Sequence, residues 1–434
     1  MRADWDVVVI GAGLAGLAAG ATASRAGAAT LVLDAHRPGG RARVTECAGF
    51  VFNRGLHAFY QAGPGRVVLR LLGIEPPGRP PPLDRYLALA AGELHLLPMS
   101  LGALHRTTLL SQRDKATAGA FLAELTRLEP GRLAGVSVSQ WLAGSGLGSA
   151  GAAVIAALIR LTTYATDLDA FGADAAAAQL QLAAGGVLYL DGGWAPLAGL
   201  LAARCQLRTG IKVSAVATGA GRVELSTSDG PLAARSVIIA VGRPASARRL
   251  LPAEPGWGDL GPEVTAACLD AGLRRVPEPG YVLGVDTPVY ASVQSPPARQ
   301  APPGQAVVGA VRYGATGASA DRAALEAHLT RAGVREDDVV ITRFLARMVV
   351  AGAAPIAARG GLRGRPAVGA TGLPGVFLAG DWVGPTGLLA DAALASGRAA
   401  ALRAVAAVRG QLVPVPTAPV PTTPVPTAPV PTAP

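Results

Sequence analysis

Between the apolar run Val7-Val8-Val9-Ile10 and Asp34 the chain carries Gly11-x-Gly13-x-x-Gly16, and no other stretch restricts its fold as tightly. Spacing alone says little, because with 56 glycines in 434 residues roughly one such pattern is expected by chance. A second match at Gly146, Gly148 and Gly151 follows the helical-looking Ser139-Gln140-Trp141-Leu142, and Asp169 beyond it closes no apolar strand, so it reads as a loop. The first match has the required context. Trp5 to Ile10 reads as a buried strand, Leu14 to Arg25 as an Ala-rich helix ended by Gly27, and Thr30 to Asp34 as a second strand. Gly11 permits the tight turn, Gly13 lets a diphosphate approach the backbone, and Gly16 allows close helix–strand packing. Leu14 and Ala15 open the helix, whose free N–H groups and positive dipole end suit phosphates. Asp34, with Ala35 beside it, can accept from ribose hydroxyls and disfavours a 2′-phosphate. The motif leaves NAD and FAD open.

Composition narrows the class. Half the residues are apolar, which supports a well-buried chain, and the length favours two domains. Only 4% are aromatic, so a nucleic-acid stacking surface is poorly supplied despite the net charge of +10. That charge is almost wholly arginine, the only lysines being Lys115 and Lys212, and no dense basic run focuses it; a peripheral membrane contact stays open as an expectation. Cys47, Cys205 and Cys268 are too far apart for a metal cluster or disulfide framework and suit a reducing compartment. No metal-ligand spacing appears, and Asp337-Asp338 beside Glu336 reads as a solvated turn. Val7 to Ser24 is uncharged but is preceded by Asp4 and Asp6 and broken by glycines, unlike a secretion signal; a cytoplasmic protein is expected.

Along the chain, Leu83 to Leu97 predicts a hairpin about Ala91-Gly92, and residues 101–190 are mainly helical, with a capping box at Ser137 and Gln140. Strands are expected at 212–216, 223–227 and 236–241, then near 281–285, 289–293 and 306–313. Helix is expected over 321–331, a strand at 376–379, and a long helix from Gly387 to Val408. From Val413 the sequence repeats Val-Pro-Thr-Ala-Pro, a density of proline that forbids helix and sheet.

Two further segments, in order after the glycine motif, resemble the flavin amine oxidase and phytoene desaturase superfamily. They are Pro38-Gly39-Gly40-Arg41-Ala42-Arg43, and Gly375-Val-Phe-Leu-Ala-Gly380-Asp381-Trp382 continued by Gly387-Leu-Leu-Ala-Asp391-Ala-Ala-Leu-Ala-Ser396-Gly397-Arg398. The resemblance covers most of residues 1–408 and is weak through 98–190. It implies FAD as cofactor and an α/β fold: a discontinuous Rossmann-type FAD-binding domain (1–75, 191–245 and 365–408) with an inserted α+β substrate domain (76–190 and 246–364); the proline-rich composition, separately, predicts a disordered tail over 409–434. The resemblance places Gly40 and Arg41 along the diphosphate, Gly380 and Asp381 at the ribityl chain, and the Val213 backbone at adenine. Asn53-Arg54-Gly55-Leu56-His57 resembles the stretch passing the flavin ring, with Gly55 and Leu56 on the cofactor and His57 towards substrate. The helix beginning near Gly387 and Leu388 would point its N-terminus at the flavin N1 and C2 carbonyl, where reduced flavin carries negative charge.

The softer likeness of 281–313 and of Gly-Asp-Trp-Val-Gly-Pro is to bacterial phytoene-dehydrogenase-like proteins. Amine-oxidising relatives place a lysine near N5, and neither lysine here falls in the late substrate-domain strands. The reading is therefore oxidation of a C–C bond in a small apolar substrate, isoprenoid or polyene in type, by hydride transfer to flavin. Flavin amine oxidase is the alternative, and a non-redox prenyl- or lipid-binding protein on the same fold the alternative from another class. No catalytic residue is assigned, and the substrate, the electron acceptor and the number of copies in the assembly are left open.

Overall fold

The computed structural model describes residues 5–82, 85–219 and 221–411; the repeat beginning at Val413 lies outside them. Trp5–Ile10 and Thr30–Asp34 pair in parallel at the centre of one seven-stranded sheet, joined by the helix Leu14–Arg25. Gln206–Thr209 adds beyond Thr30–Asp34, and Gly230–Ile239 lies parallel to Trp5–Ile10 on the other side. That last strand pairs antiparallel with Arg222–Thr227 over its first half and parallel with Val376–Leu378 over its second. Alternation splits the central strands between two cores: Val7, Val9, Val32 and Ile238 face one, Val8, Ile10, Leu33 and Ile239 the other. Both faces are covered, which explains the unbroken apolar runs.

One of those cores is closed by the helix Leu389–Val408 lying on Leu14–Arg25. The helices meet backbone to backbone, since a Cβ on Gly397 would sit 2.3 Å from the Ala15 carbonyl oxygen; the first helix is as close to its own preceding turn, where a Cβ on Gly16 would sit 1.8 Å from the Gly11 carbonyl oxygen. Ser396 Oγ accepts from the Gly380 N–H (2.9 Å) and donates to the Gly380 carbonyl (2.8 Å), locking the same helix to the end of the 376–378 strand. Gly11 itself has φ +106°, where a side chain would be strained.

A second seven-stranded sheet runs in the order Val339–Ala351, Val264–Leu273, Ala306–Tyr313, Val289–Ser295, Tyr281–Gly284, Tyr86–Ala90, Glu93–Leu96. Its last two strands form the hairpin expected about Ala91-Gly92, both of which have positive φ, the twist that two-residue hairpins favour. The capping box at Ser137 and Gln140 is present. Three details differ from expectation. A helix begins at Ser149, so Gly151 of the second glycine motif, read as a loop, is helical while Gly146 and Gly148 precede the helix. The final long helix starts at Leu389, not Gly387. The strands Val264–Leu273 and Val339–Ala351, for which no expectation was formed from sequence, make the longest single strand pairing of this sheet.

Asp270 and Arg343 are cross-strand partners on those two strands. Arg343 Nε donates to Asp270 Oδ2 (3.1 Å), and its Nη2 also reaches the Asn53 carbonyl, fastening the sheet to the strand Phe50–Asn53. Asp270 is 4% exposed. Removing one partner of a buried pair costs about 3–5 kcal/mol because the other charge is stranded. Arg343→Leu is therefore expected to lower the thermal midpoint strongly, and Asp270→Asn added to it to restore part of the loss; equal midpoints for native and single variant in thermal scans would contradict this.

Candidate functional site

One continuous cavity of about 2090 Å³ passes from the glycine turns of the first sheet to the helices over the second. Single small-molecule sites span roughly 300–1,000 Å³, so this one has room for a large cofactor and a second molecule. Gly11, Gly13, Leu14, Ala15, Asp34, Ala35, Gly40, Arg41, Leu56, His57, Val213, Gly380 and Asp381 all lie on its wall. Gly16, Gly55, Gly387 and Leu388 do not. Gly16 is spent on packing, and a Cβ on Gly55 would meet Met348 Sδ at 2.3 Å.

The wall fits an extended dinucleotide. A Cβ on Gly13 would meet nothing within 4 Å, and one on Gly40 would come within 3.3 Å of Gly13 Cα, so two bare glycine loops flank the same stretch of cavity. No side chain caps the helix that follows Gly13, which leaves its first N–H groups for a ligand. Asp34 takes the Ala12 N–H on Oδ2 and the His36 N–H on Oδ1, both at 2.7 Å; each carboxylate oxygen keeps a further lone pair for a ribose hydroxyl.

Arg41 and Asp381, which the resemblance gives separate parts of the cofactor, are paired with each other. Arg41 Nη1 and Nη2 each donate to one Asp381 oxygen at 2.8 Å, and Nη1 also reaches the Val350 carbonyl. The Gly352 N–H gives Asp381 a third bond. The carboxylate is 1% exposed, and a buried charge needs such partners. Burial alone would lower the Arg41 pKa; the charge and hydrogen bonds of Asp381 outweigh it and raise it. Arg365, absent from the sequence reading, holds the turn from behind, donating to the Asp381 carbonyl (2.9 Å) and the Gly387 carbonyl (2.8 Å). Burial pulls its pKa down to about 10. It follows a glycine-rich loop with no motif, so nothing in the sequence marks it.

His57 is half-buried 5.5 Å from the Trp194 ring, and its Nδ1 lies 2.8 Å from the Gly55 carbonyl. Burial lowers its pKa, against the pull of that bond, and Arg41 and Arg343 lower it further. The ring is neutral near pH 7, with Nδ1–H donating and Nε2 free to accept. Leu389, at the start of the last helix and on the wall, has φ +52°, a conformation rare for a side-chain-bearing residue and typical of constrained sites. Asp391, two residues along, is also on the wall and 3% exposed; its Oδ1 accepts the Gly65 N–H (2.7 Å) at the start of the helix Pro64–Leu71. Gly63 and Gly65 make room for it, since a Cβ on either would fall within 2.6 Å of a carboxylate oxygen.

Fold and cavity define an α/β protein of the dinucleotide-binding class. The model of the flavin-containing amine oxidoreductase family matches residues 14–267, more than half of the chain, and the protein belongs to that family. It is an FAD-dependent oxidoreductase. Similar solved structures include a candidate protoporphyrinogen oxidase from Exiguobacterium sp. 255-15 (20% identity, 92% of this chain and 98% of that one, TM-score 0.68). Cyclohexylamine oxidase from Brevibacterium oxydans IH-35A gives 19% identity, 94% and 99% coverage and a TM-score of 0.70. An oxidoreductase from Methanosarcina mazei gives 19%, 91%, 99% and 0.70. At these identities the likeness is one of fold. No curated protein matches the sequence. Among the described residues, no helix is long and apolar enough to cross a membrane.

Burial raises the Asp391 pKa to about 6, against the Gly65 hydrogen bond. A carboxyl raised above its unfolded value of about 3.9 keeps its proton in the folded state, so its share of stability is present below about pH 4 and is lost as pH rises through about 6, at most roughly 3 kcal/mol. Asp391→Asn keeps an oxygen for Gly65 without the charge. In the FAD-free protein this substitution is expected to raise the thermal midpoint at pH 8, the gain shrinking towards pH 4.5; a gain independent of pH would refute the assignment.

Proposed function

We propose that the protein dehydrogenates a C–C bond of an apolar substrate of isoprenoid or polyene type. The observation that carries this reading is the chemistry of the cavity wall built by the 101–184 helices: Leu122, Leu125, Leu158, Leu161 and Leu180 with Met99 from the adjoining loop. That stretch carries no carboxylate among the described residues, its polar side chains including Thr126, Thr162 and Gln181. Three carboxylates line the cavity, and Asp34 and Asp381 are already engaged by backbone N–H groups and Arg41. Neither lysine faces it from the late strands. Lys212 lies beside Val213, and Lys115 donates to the His105 carbonyl from the helix Gln112–Leu125.

Bound flavin supplies the hydride acceptor, at N5, so no protein nucleophile is needed. The chain's own part is then binding, orientation and exclusion of water. Apolar side chains desolvate the substrate, and Arg41 paired to Asp381 fixes the loop between the glycine turn and the last helix. Neutral His57 presents one acceptor nitrogen beside Trp194. The second reading, amine oxidation, rests on Asp391, a buried wall carboxylate that, among the described residues, has no cationic partner and accepts from a single backbone N–H. Domain boundaries at 75, 191, 245 and 365 are proposed with the same reading.

The FAD-loaded protein, mixed anaerobically with a linear polyisoprenoid, is expected to bleach its flavin band, and primary amines to leave it oxidised. Rapid bleaching by amines with none by polyisoprenoids would replace this reading by the second.

A further inference from the structure

The strand Val289–Ser295 is buried at every residue, yet polar and apolar side chains alternate along it. Val289, Ala291 and Val293 take one face, and Tyr290, Ser292 and Gln294 the other, as a period of two requires. Tyr290 and Gln294 are on the cavity wall, and both are buried within the fold. Tyr189 and Tyr86, also on the wall, join this polar face: Tyr189 OH lies 2.9 Å from Ser292 Oγ and 3.1 Å from Tyr86 OH. Gln294 Nε2 donates to the same Ser292 oxygen at 3.0 Å. Five of the seven tyrosines in the chain, at 60, 86, 164, 189 and 290, line the cavity. In a protein with so few aromatics, this is where they are concentrated.

A network serving packing alone would close on itself. This one does not: Gln294 Oε1 is buried and, among the described residues, has no hydrogen-bond partner. Unpaired buried acceptors are rare in folded proteins because losing water without replacing its hydrogen bond is unfavourable. The other unpaired buried acceptors, on Asp174, Gln179, Gln300 and Tyr313, belong to residues off the wall; Trp194 Nε1 is unpaired on the wall too, but it is a donor and lies apart from this strand, beside His57. The polar strip contains no ionised group to balance a charge, and burial raises the pKa of Tyr86 and Tyr290, so both phenols stay neutral.

We infer that the substrate is an uncharged apolar molecule carrying one hydrogen-bond donor, a hydroxyl or N–H group, which Gln294 Oε1 accepts within the tyrosine-lined wall. Gln294 is thereby a specificity-determining residue, selecting an alcohol over the matching hydrocarbon or ether. The inference rests on the proposed reading of this cavity as the seat of an apolar substrate.

The test is equilibrium binding to the FAD-loaded full chain, followed by perturbation of the flavin spectrum and by calorimetry. The probes are a linear C20 isoprenoid alcohol, its methyl ether and the corresponding hydrocarbon. The alcohol is expected to bind about tenfold or more tighter than the ether, and Gln294→Leu to erase that ratio while leaving hydrocarbon affinity unchanged. Gln294→Met, closer in shape, serves if the leucine variant does not fold. Equal binding of all three probes, or an undiminished ratio in the variant, would overturn the role of Gln294 and leave the apolar-substrate reading standing. Tighter binding of the ether would overturn the donor, showing the amide turned the other way. No binding of any probe would overturn both.

Discussion

The structure depends on backbone meeting backbone where the two ends of the described chain converge. Gly397 in the last helix faces the Ala15 carbonyl at a distance no Cβ could share, and Gly16 does the same to Gly11 one turn away. A methyl group on Gly397 would push the two helices apart, and one on Gly16 would push the first helix off the glycine turn and the strand end at Ala240. Close packing transmits strain because protein interiors have few voids to absorb it. The consequence would reach the site directly: Ser396, beside Gly397, holds both backbone groups of Gly380, and Asp381 follows. The Arg41–Asp381 pair joins segments 340 residues apart in sequence, and the helix contact is one of the restraints, with the 376–378 strand, that set its geometry.

The pair also defines what the nucleotide end of the cavity is made of. Asp381 is satisfied by a guanidinium and a backbone N–H, Arg41 by a carboxylate and a carbonyl, and Arg365 ties the turn to the next one. Such a network is rigid because each member would be left uncompensated if another moved. Held this way, the first N–H groups of the helix at Leu14 and the bare faces of Gly13 and Gly40 stay in register, which is what an electrostatic binding surface requires if it is not to reorganise around its ligand.

Much of this end was legible from sequence, for a physical reason. Backbone-built sites demand glycine at fixed offsets from a strand and a helix, and the demand leaves a short contiguous mark. The strand before Gly11 separated the true motif from its double at Gly146, which follows a helix. Ser396-Gly397 was legible as part of a resemblance, and its cause is the contact with Ala15. The strands 264–273 and 339–351 left no such mark. The first carries Asp270 and Gly272 within an apolar run. The second is half-exposed, has Arg343 and Arg347 along it, and is paired through register shifts that break a clean alternation.

The substrate end follows different rules. Its wall is made of side chains, drawn from the hairpin at Tyr86, the helices of 101–184, the strand at Tyr189 and the strand at Tyr290. No single segment supplies enough of it to form a motif, and each residue taken alone reads as ordinary core. Only the pairing of Tyr281–Gly284 with Tyr86–Ala90 and Val289–Ser295 brings Tyr86 within reach of Tyr189 and Ser292. A wall of this kind can change its ligand by exchanging single side chains without disturbing the glycine contacts that hold the cofactor end. That separation is why the fold can be stated from three short segments, while the identity of what it oxidises must be sought in scattered tyrosines and one unpaired amide.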